Sequence, residues 1–168
     1  MSEYDRSMEH RDVDSGDQHD TVRLAQAFAD ARFHVELGDR LHTLRVGERQ
    51  PVLEEEVPGA RYGYVTAWNP DAEPRDAVDN MAADDRLAAR VTALGFDMRR
   101  TWSEDAQGAH REAGWLLVDA DAEQVDALGR AFDQAGVLAW VQGEPVRLRM
   151  LMAPPSGAAE LPSVDWIE

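Results

Sequence analysis

The spacing of apolar residues along the chain alternates between a helical and a strand-like period. Leu24, Phe28, Ala31 and Val35 recur at intervals of 4, 3 and 4, which predicts an amphipathic helix over residues 21–36. Apolar runs bounded by Gly, Pro and Asp predict the later elements. In chain order these are a strand 41–46, a loop 50–59, a strand 62–68, a helix 75–94, strands 96–102 and 113–118, a helix 121–132, and strands 137–142 and 146–151.

The order of these elements predicts an α+β fold. From residue 62 to residue 142 the order is β-α-β-β-α-β, which is the split β-α-β, or ferredoxin-like, pattern. Right-handed crossovers place the third strand antiparallel between the first two. The N-terminal helix and strand and the C-terminal hairpin strand are additions to this core. The alternative is another α+β sheet with its helices on one side.

The two ends of the chain differ in composition from the middle. Residues 1–20 carry seven acids and two Arg with few large apolar residues, which predicts a disordered acidic segment. Pro and Gly in residues 153–168 predict an extended tail, and its Trp166 could dock on the domain or on a partner. We therefore expect a single α+β domain at residues 21–152.

The predicted topology gathers polar and aromatic residues at one end of the sheet. Strand 62–68 ends there, helix 75–94 begins there, and helix 121–132 ends there. We expect a binding rim at this end, built from seven residues that lie far apart in sequence: Trp68, Asn69, Asn80, Trp102, His110, Glu112 and Gln134.

Asn69 and Asn80 are the only two asparagines in 168 residues. At 100° per residue, Asn80 shares a helical stripe with Leu87 and Val91, so its amide faces inward. A buried amide without partners costs about 1–3 kcal/mol, and the backbone of the 68–74 loop can supply partners. The two amides therefore either only hold this loop or also line a pocket at the rim.

The aromatic residues of one predicted strand share a face of the sheet. Alternation along the strand places Tyr62, Tyr64, Thr66 and Trp68 together. We expect the N-terminal helix to cover this face, so that the aromatic rings belong to the core. The alternative is an aromatic platform for RNA, which the charge of the chain disfavours.

Composition narrows the chemistry. The chain has 33 acidic residues and 17 basic ones, all Arg, for a net charge of −16. The lack of Lys excludes a Walker-type phosphate loop and a Schiff-base lysine, and the lack of Cys excludes disulfides and thiolate chemistry. The five His show no metal-ligand spacing, so no metal and no cofactor is expected. The charge indicates either a solvated acidic surface or an acidic face for a basic partner.

The sequence also bears on location. No apolar run approaches the roughly 18 residues of a membrane span. The N-terminus lacks the basic start and apolar stretch of a secretory signal. We therefore expect a cytoplasmic protein without membrane contact.

One stretch resembles a known family. Thr66-Ala-Trp-Asn-Pro70, followed by Asn80, Glu112 and Phe132-Asp-Gln134, resembles an uncharacterised bacterial family whose members carry a TAWNP motif, a domain of unknown function (DUF family 3293). Where that family has Trp-x-Glu-Pro-Ser, this chain has His110-Arg-Glu112-Ala-Gly114, and Ala135 replaces an Asn. The resemblance covers residues 22–150 and implies motif positions but no reaction.

The functional hypothesis is a small binding or regulatory module whose rim binds an unknown small ligand or protein. One alternative is an enzyme acting on a small polar ligand, with Glu112 as general base aided by His110. The other is an acidic adaptor, or nucleic-acid mimic, that binds a basic protein. A pocket at the rim with Glu112 buried beside both Asn side chains favours a ligand, whereas a filled rim favours the adaptor. No residue is assigned as catalytic.

Overall fold

The computed structural model describes residues 12–156 and 160–168, with side chains from residue 16 onward. The helices within these ranges are α1 (Asp12–Asp30), α2 (Pro51–Glu56), α3 (Ala77–Leu94) and α4 (Ala122–Ala131), with a short 3-10 turn at Pro70–Ala72. The strands are β1 (Arg32–Leu37), β2 (Arg40–Leu44), β3 (Arg61–Val65), β4 (Asp97–Glu104), β5 (Glu112–Val118), β6 (Gly136–Val141), β7 (Arg147–Met150) and β8 (Val164–Trp166).

The strands form one sheet in the order β2-β1-β4-β5-β3-β6-β7-β8. Every neighbouring pair is antiparallel except β7 and β8, which are parallel. β5 lies between β3 and β4, which is where a right-handed crossover through α3 places it. The predicted α+β class is confirmed.

The sheet buries a different core on each face. One core contains the aromatic residues of β3, Tyr62 and Tyr64, with residues of α1, α2, β1 and β7. The other packs Leu87 of α3 and Val125 of α4 against Val65. Alternation along β3 sends its side chains to both cores. The aromatic face of β3 is thus buried beneath α1.

Local signals fix the ends of the two helices that flank the core strands. The Asp121 carboxylate accepts from the Gln124 N–H at 2.8 Å, and the Gln124 side chain accepts from the Asp121 N–H at 2.9 Å, forming a capping box for α4. α3 ends at Gly95, whose φ of 82° suits a residue without a β-carbon. Gly95 thus turns the chain toward β4, and the capping box starts α4 shortly after β5.

The predicted helix over residues 21–36 is wrong in its second half. α1 ends at Asp30, and β1 begins at Arg32. Ala31, Phe33 and Val35 are all buried, at a spacing of two. Because Ala31 and Val35 are four residues apart, they fit both a helical stripe and one face of a strand, and Phe33 resolves the ambiguity.

The predicted loop over residues 50–59 is also wrong, because residues 51–56 form α2. Pro51 occupies the start of this helix, where its missing N–H has no helical partner to lose. Leu53 is buried, and the Glu54 carboxylate accepts hydrogen bonds from the Trp140 indole at 3.1 Å and the Gly143 N–H at 3.0 Å. These contacts make a segment rich in acids part of the core.

The chain ends differ from the expectation in one respect. Residues 12–20, which we expected to be disordered, belong to α1, whereas residues 1–11 lie outside the described residues. The tail ends in β8, and its Asp165 carboxylate accepts two hydrogen bonds from Arg147 at 2.6 and 2.8 Å. Trp166 packs against the domain's own core.

None of the described helices is long and apolar enough to cross a bilayer.

Candidate functional site

The two asparagines form one hydrogen-bonded pair. Asn69 follows β3 with a φ of 46°, in the left-handed region that Asn tolerates better than most residues. Its backbone N–H donates to Oδ1 of Asn80 at 2.9 Å, and Nδ2 of Asn80 donates to Oδ1 of Asn69 at 2.8 Å. Asn80 is only 2% exposed. The amides therefore fix the loop after β3 to the first turn of α3.

Arg75 completes this pair. Its backbone N–H donates to Oδ1 of Asn69 at 3.0 Å, and its Nε donates to Oδ1 of Asn80 at 3.2 Å. The Arg75 carbonyl accepts from Nδ2 of Asn80 at 3.2 Å. Arg75 was absent from the predicted rim, and the only signal for it in the sequence is that a buried amide at position 80 requires partners nearby.

The Asn pair also holds an acid. Nδ2 of Asn69 donates to Oε1 of Glu112, the first residue of β5, at 2.7 Å. Burial raises the pKa of Glu112, while the hydrogen bond from Asn69 and the positive charge of His110 act in the opposite direction. The loop thus places a carboxyl group, at a fixed position, in an environment that disfavours its charge.

Gln134 ties the same loop to the end of α4. Its Nε2 donates to the Trp68 carbonyl at 3.1 Å and to the Phe132 carbonyl at 3.2 Å. The backbone N–H of Asp71 donates to the Asp133 carbonyl at 2.7 Å. The loop after β3 is therefore held by both helices on the α3–α4 side of the sheet.

A cavity of about 280 Å³ lies beside Glu112, between α1 and the sheet. Most of its surface is apolar, and the acids and hydroxyl groups lie toward the end of the sheet where β5 begins. The lining residues are Ala27, Phe28, Ala31, Phe33, Tyr64, Thr66, Ser103, Glu104, Asp105, His110, Glu112, Gln134, Gly136, Val137, Leu138 and Leu148. We call this the α1 cavity.

Tyr64 lines the α1 cavity, but its hydroxyl is buried inside the protein. Its side chain is 4% exposed, and the hydroxyl lies beside those of Ser103 and Thr101. A β-carbon at Gly114 would lie 2.9 Å from the Tyr64 oxygen, so glycine leaves the space that the phenol occupies. Burial raises the pKa of Tyr64, and the phenol is therefore neutral.

The structure brings together five of the seven predicted residues in one hydrogen-bonded network. These five are Trp68, through its carbonyl, and Asn69, Asn80, Glu112 and Gln134. Of the seven, three line the α1 cavity, namely His110, Glu112 and Gln134. The side chain of His110 is 85% exposed, and its Nε2 lies 3.7 Å from Oδ2 of Asp105.

Trp102 lies apart from the network. Its ring centroid is 4.0 Å from that of His34, and the Arg111 guanidinium carbon is 3.7 Å from the Trp102 ring centroid. Ser103, the next residue of β4, lines the α1 cavity. Because neighbouring side chains of a strand point to opposite faces, Trp102 is turned away from the cavity. Position at the end of a strand therefore did not bring this residue to the site.

The sequence alone missed the hydroxyl groups of the site. Ser103 is the cross-strand partner of Glu112, and Thr101 is that of Gly114. The hydroxyl of Thr101 is buried and lies beside that of Tyr64. The strand register that aligns these residues with Glu112 is set by the turn over residues 105–111, and no pattern in the sequence specifies it.

The acids near the cavity do not assemble a metal site. Across the described ranges, no three His, Asp or Glu side chains are grouped so that they could hold a metal ion.

Replacing Asn80 by Ala should destabilise the fold. The Asn80→Ala variant leaves Asn69 and Arg75 without their shared partner, so we expect its free energy of unfolding to fall by about 1–3 kcal/mol. Urea unfolding measures this loss. Asp85→Ala, at an exposed position of the same helix, is the control and should change the value by less than about 0.5 kcal/mol. Equal effects of the two changes would contradict the proposed role of the amide.

The raised pKa of Glu112 predicts a pH dependence. The folded state binds the Glu112 proton more tightly than the unfolded state, in which the carboxyl group has its ordinary pKa of 4.5. The contribution of Glu112 to stability is therefore full below that value and is lost as pH rises through the raised pKa. As the pH rises from about 4 to about 7, the free energy of unfolding of Glu112→Gln should increase relative to that of the wild-type protein. Urea unfolding at several pH values tests this, and a constant difference would refute it.

Comparison with known proteins places the site within a family. Residues 65–137 match the family model described as protein of unknown function, DUF3293. The matched segment contains Asn69, Asn80, Glu112 and Gln134, whereas α1 lies outside it. No curated protein and no solved structure matches the chain. The resemblance to the DUF3293 family expected from the sequence is therefore confirmed over residues 65–137.

Proposed function

We propose that this protein is a binding module for a small molecule that occupies the α1 cavity. The observation that carries the proposal is the cavity itself, which brings a mostly apolar surface together with the Glu112 carboxyl group that Asn69 holds in place. A cytoplasmic location and a regulatory role remain predictions.

The composition of the cavity supports this proposal. Ligand sites are concave and mostly apolar, with a few polar groups that orient the bound molecule. The α1 cavity has an apolar surface that includes Phe28, Phe33 and Leu148, and its polar groups include Glu112 and Tyr64. Its volume of about 280 Å³ is at the lower end of such sites and suits a molecule of roughly the size of a substituted benzene ring.

A second candidate function is an enzyme that uses Glu112 as a general base on the bound molecule. The observation in its favour is the raised pKa of Glu112 within a cavity, a combination that is common at catalytic sites. His110 gives it no support, since its imidazole faces Asp105. The adaptor hypothesis lacks the filled rim that would favour it.

Filling the cavity should abolish binding. Ala27 lines the cavity from α1, and Ala27→Phe adds a ring that competes for the same volume. With 2-phenylethanol as probe in ligand-observed NMR, we expect the affinity to fall at least about tenfold. Gln26→Phe places the same ring at the neighbouring exposed position, outside the lining, and should retain wild-type affinity. Binding that survives Ala27→Phe, or no binding to wild type by any small aromatic probe, would refute the proposal.

A further inference from the structure

We infer that the α1 cavity selects a molecule that joins an apolar body to a cationic amine, with Glu112 as the counter-ion. This inference rests on the proposed function, since it specifies the chemical class of the molecule that the cavity binds.

Acidic residues outnumber basic ones around the cavity. Three acidic residues line it, Glu104, Asp105 and Glu112, while no Arg is among the described residues that line it. The one basic side chain is His110, which is mostly exposed and faces Asp105. A carboxylate or phosphate ligand would therefore enter a field of its own sign without a buried counter-ion, which is costly.

Two of the three acids are held by backbone N–H groups or by cationic side chains. Oδ1 of Asp105 accepts from the backbone N–H groups of Gln107 at 3.0 Å and Ala109 at 2.8 Å, which closes the turn after β4. Oε1 of Glu104 lies 3.2 Å from the Arg32 guanidinium and 3.2 Å from Nε2 of His34. Neither acid requires a ligand to be satisfied, so neither is the natural counter-ion for one.

Glu112 accepts a hydrogen bond through only one of its two carboxylate oxygens. Oε1 accepts from Asn69, whereas Oε2 accepts no hydrogen bond from the described residues. An ammonium group has three donors and no acceptor, so it complements a carboxylate oxygen. The hydrogen bond from Asn69 keeps the carboxylate in place, which reduces the conformational entropy lost when an ion pair forms.

The electrostatic situation of Glu112 agrees with a cationic ligand. Burial disfavours the charged form of the free acid, and a bound cation would restore it. The net charge of −16 also draws cations toward the protein, while it repels anions. The apolar surface beneath α1 then holds the uncharged part of the molecule, and the charged end remains near Glu112.

Three aromatic probes of matched size test this class. We would measure the affinities of 2-phenylethylammonium, 2-phenylethanol and phenylacetate for the full chain by isothermal titration calorimetry at neutral pH. The ammonium should bind at least about tenfold more tightly than the alcohol, and phenylacetate should bind more weakly than both. Glu112→Gln should abolish the preference for the ammonium over the alcohol.

A charge-matched control separates the site from the general field. Glu123→Gln, at an exposed position of α4, changes the net charge by the same amount and should retain the preference for the ammonium. Equal affinities for ammonium and alcohol in the wild-type protein, or tighter binding of phenylacetate, would overturn the assignment of the class while leaving the binding module intact. The proposed function itself would fall only if none of the three probes bound.

Discussion

The site depends on the hydrogen-bonded pair of Asn69 and Asn80. A side-chain amide is both donor and acceptor, so Asn80 can accept from the Asn69 backbone and donate to its side chain at the same time. This leaves Nδ2 of Asn69 free to hold Glu112. An Asp at either position would lose the donor and place a charge in a half-buried network. The position of the acid therefore follows from the amide chemistry of two residues on other elements.

The sheet connects the loop that the Asn pair holds to both faces of the fold. β3 runs through the middle of the sheet, so its side chains reach both cores and its C-terminal end lies beside β5 and β6. The α3–α4 face anchors the loop through Asn80 and Gln134, and the α1 face encloses the cavity. One strand thus connects a rigid anchor on one side of the sheet with a binding space on the other.

The sequence predicted the features that rest on local periodicity. The order of elements from residue 62 to residue 142 and the inward direction of Asn80 follow from the periods of strands and helices. The end of α1 could not be placed, because Ala31 and Val35 satisfy both periods. α2 was missed because its stability comes from burial of Leu53 and Glu54 in a core formed by distant strands. The pairing of Ser103 with Glu112 depends on strand register, which is a property of the whole sheet.

The Asn69–Pro70 sequence has a consequence for the chemical lifetime of the site. Asparagine side chains deamidate when the backbone nitrogen of the following residue attacks the amide carbon and loses its hydrogen. The nitrogen of Pro70 carries no hydrogen, so this route is closed at Asn69. Asn80 is followed by Met81 within α3, where helical geometry fixes the backbone nitrogen. The two amides that position Glu112 are thus protected against this route of deamidation. Deamidation would convert them to carboxylates and add negative charge beside the carboxyl group that they hold.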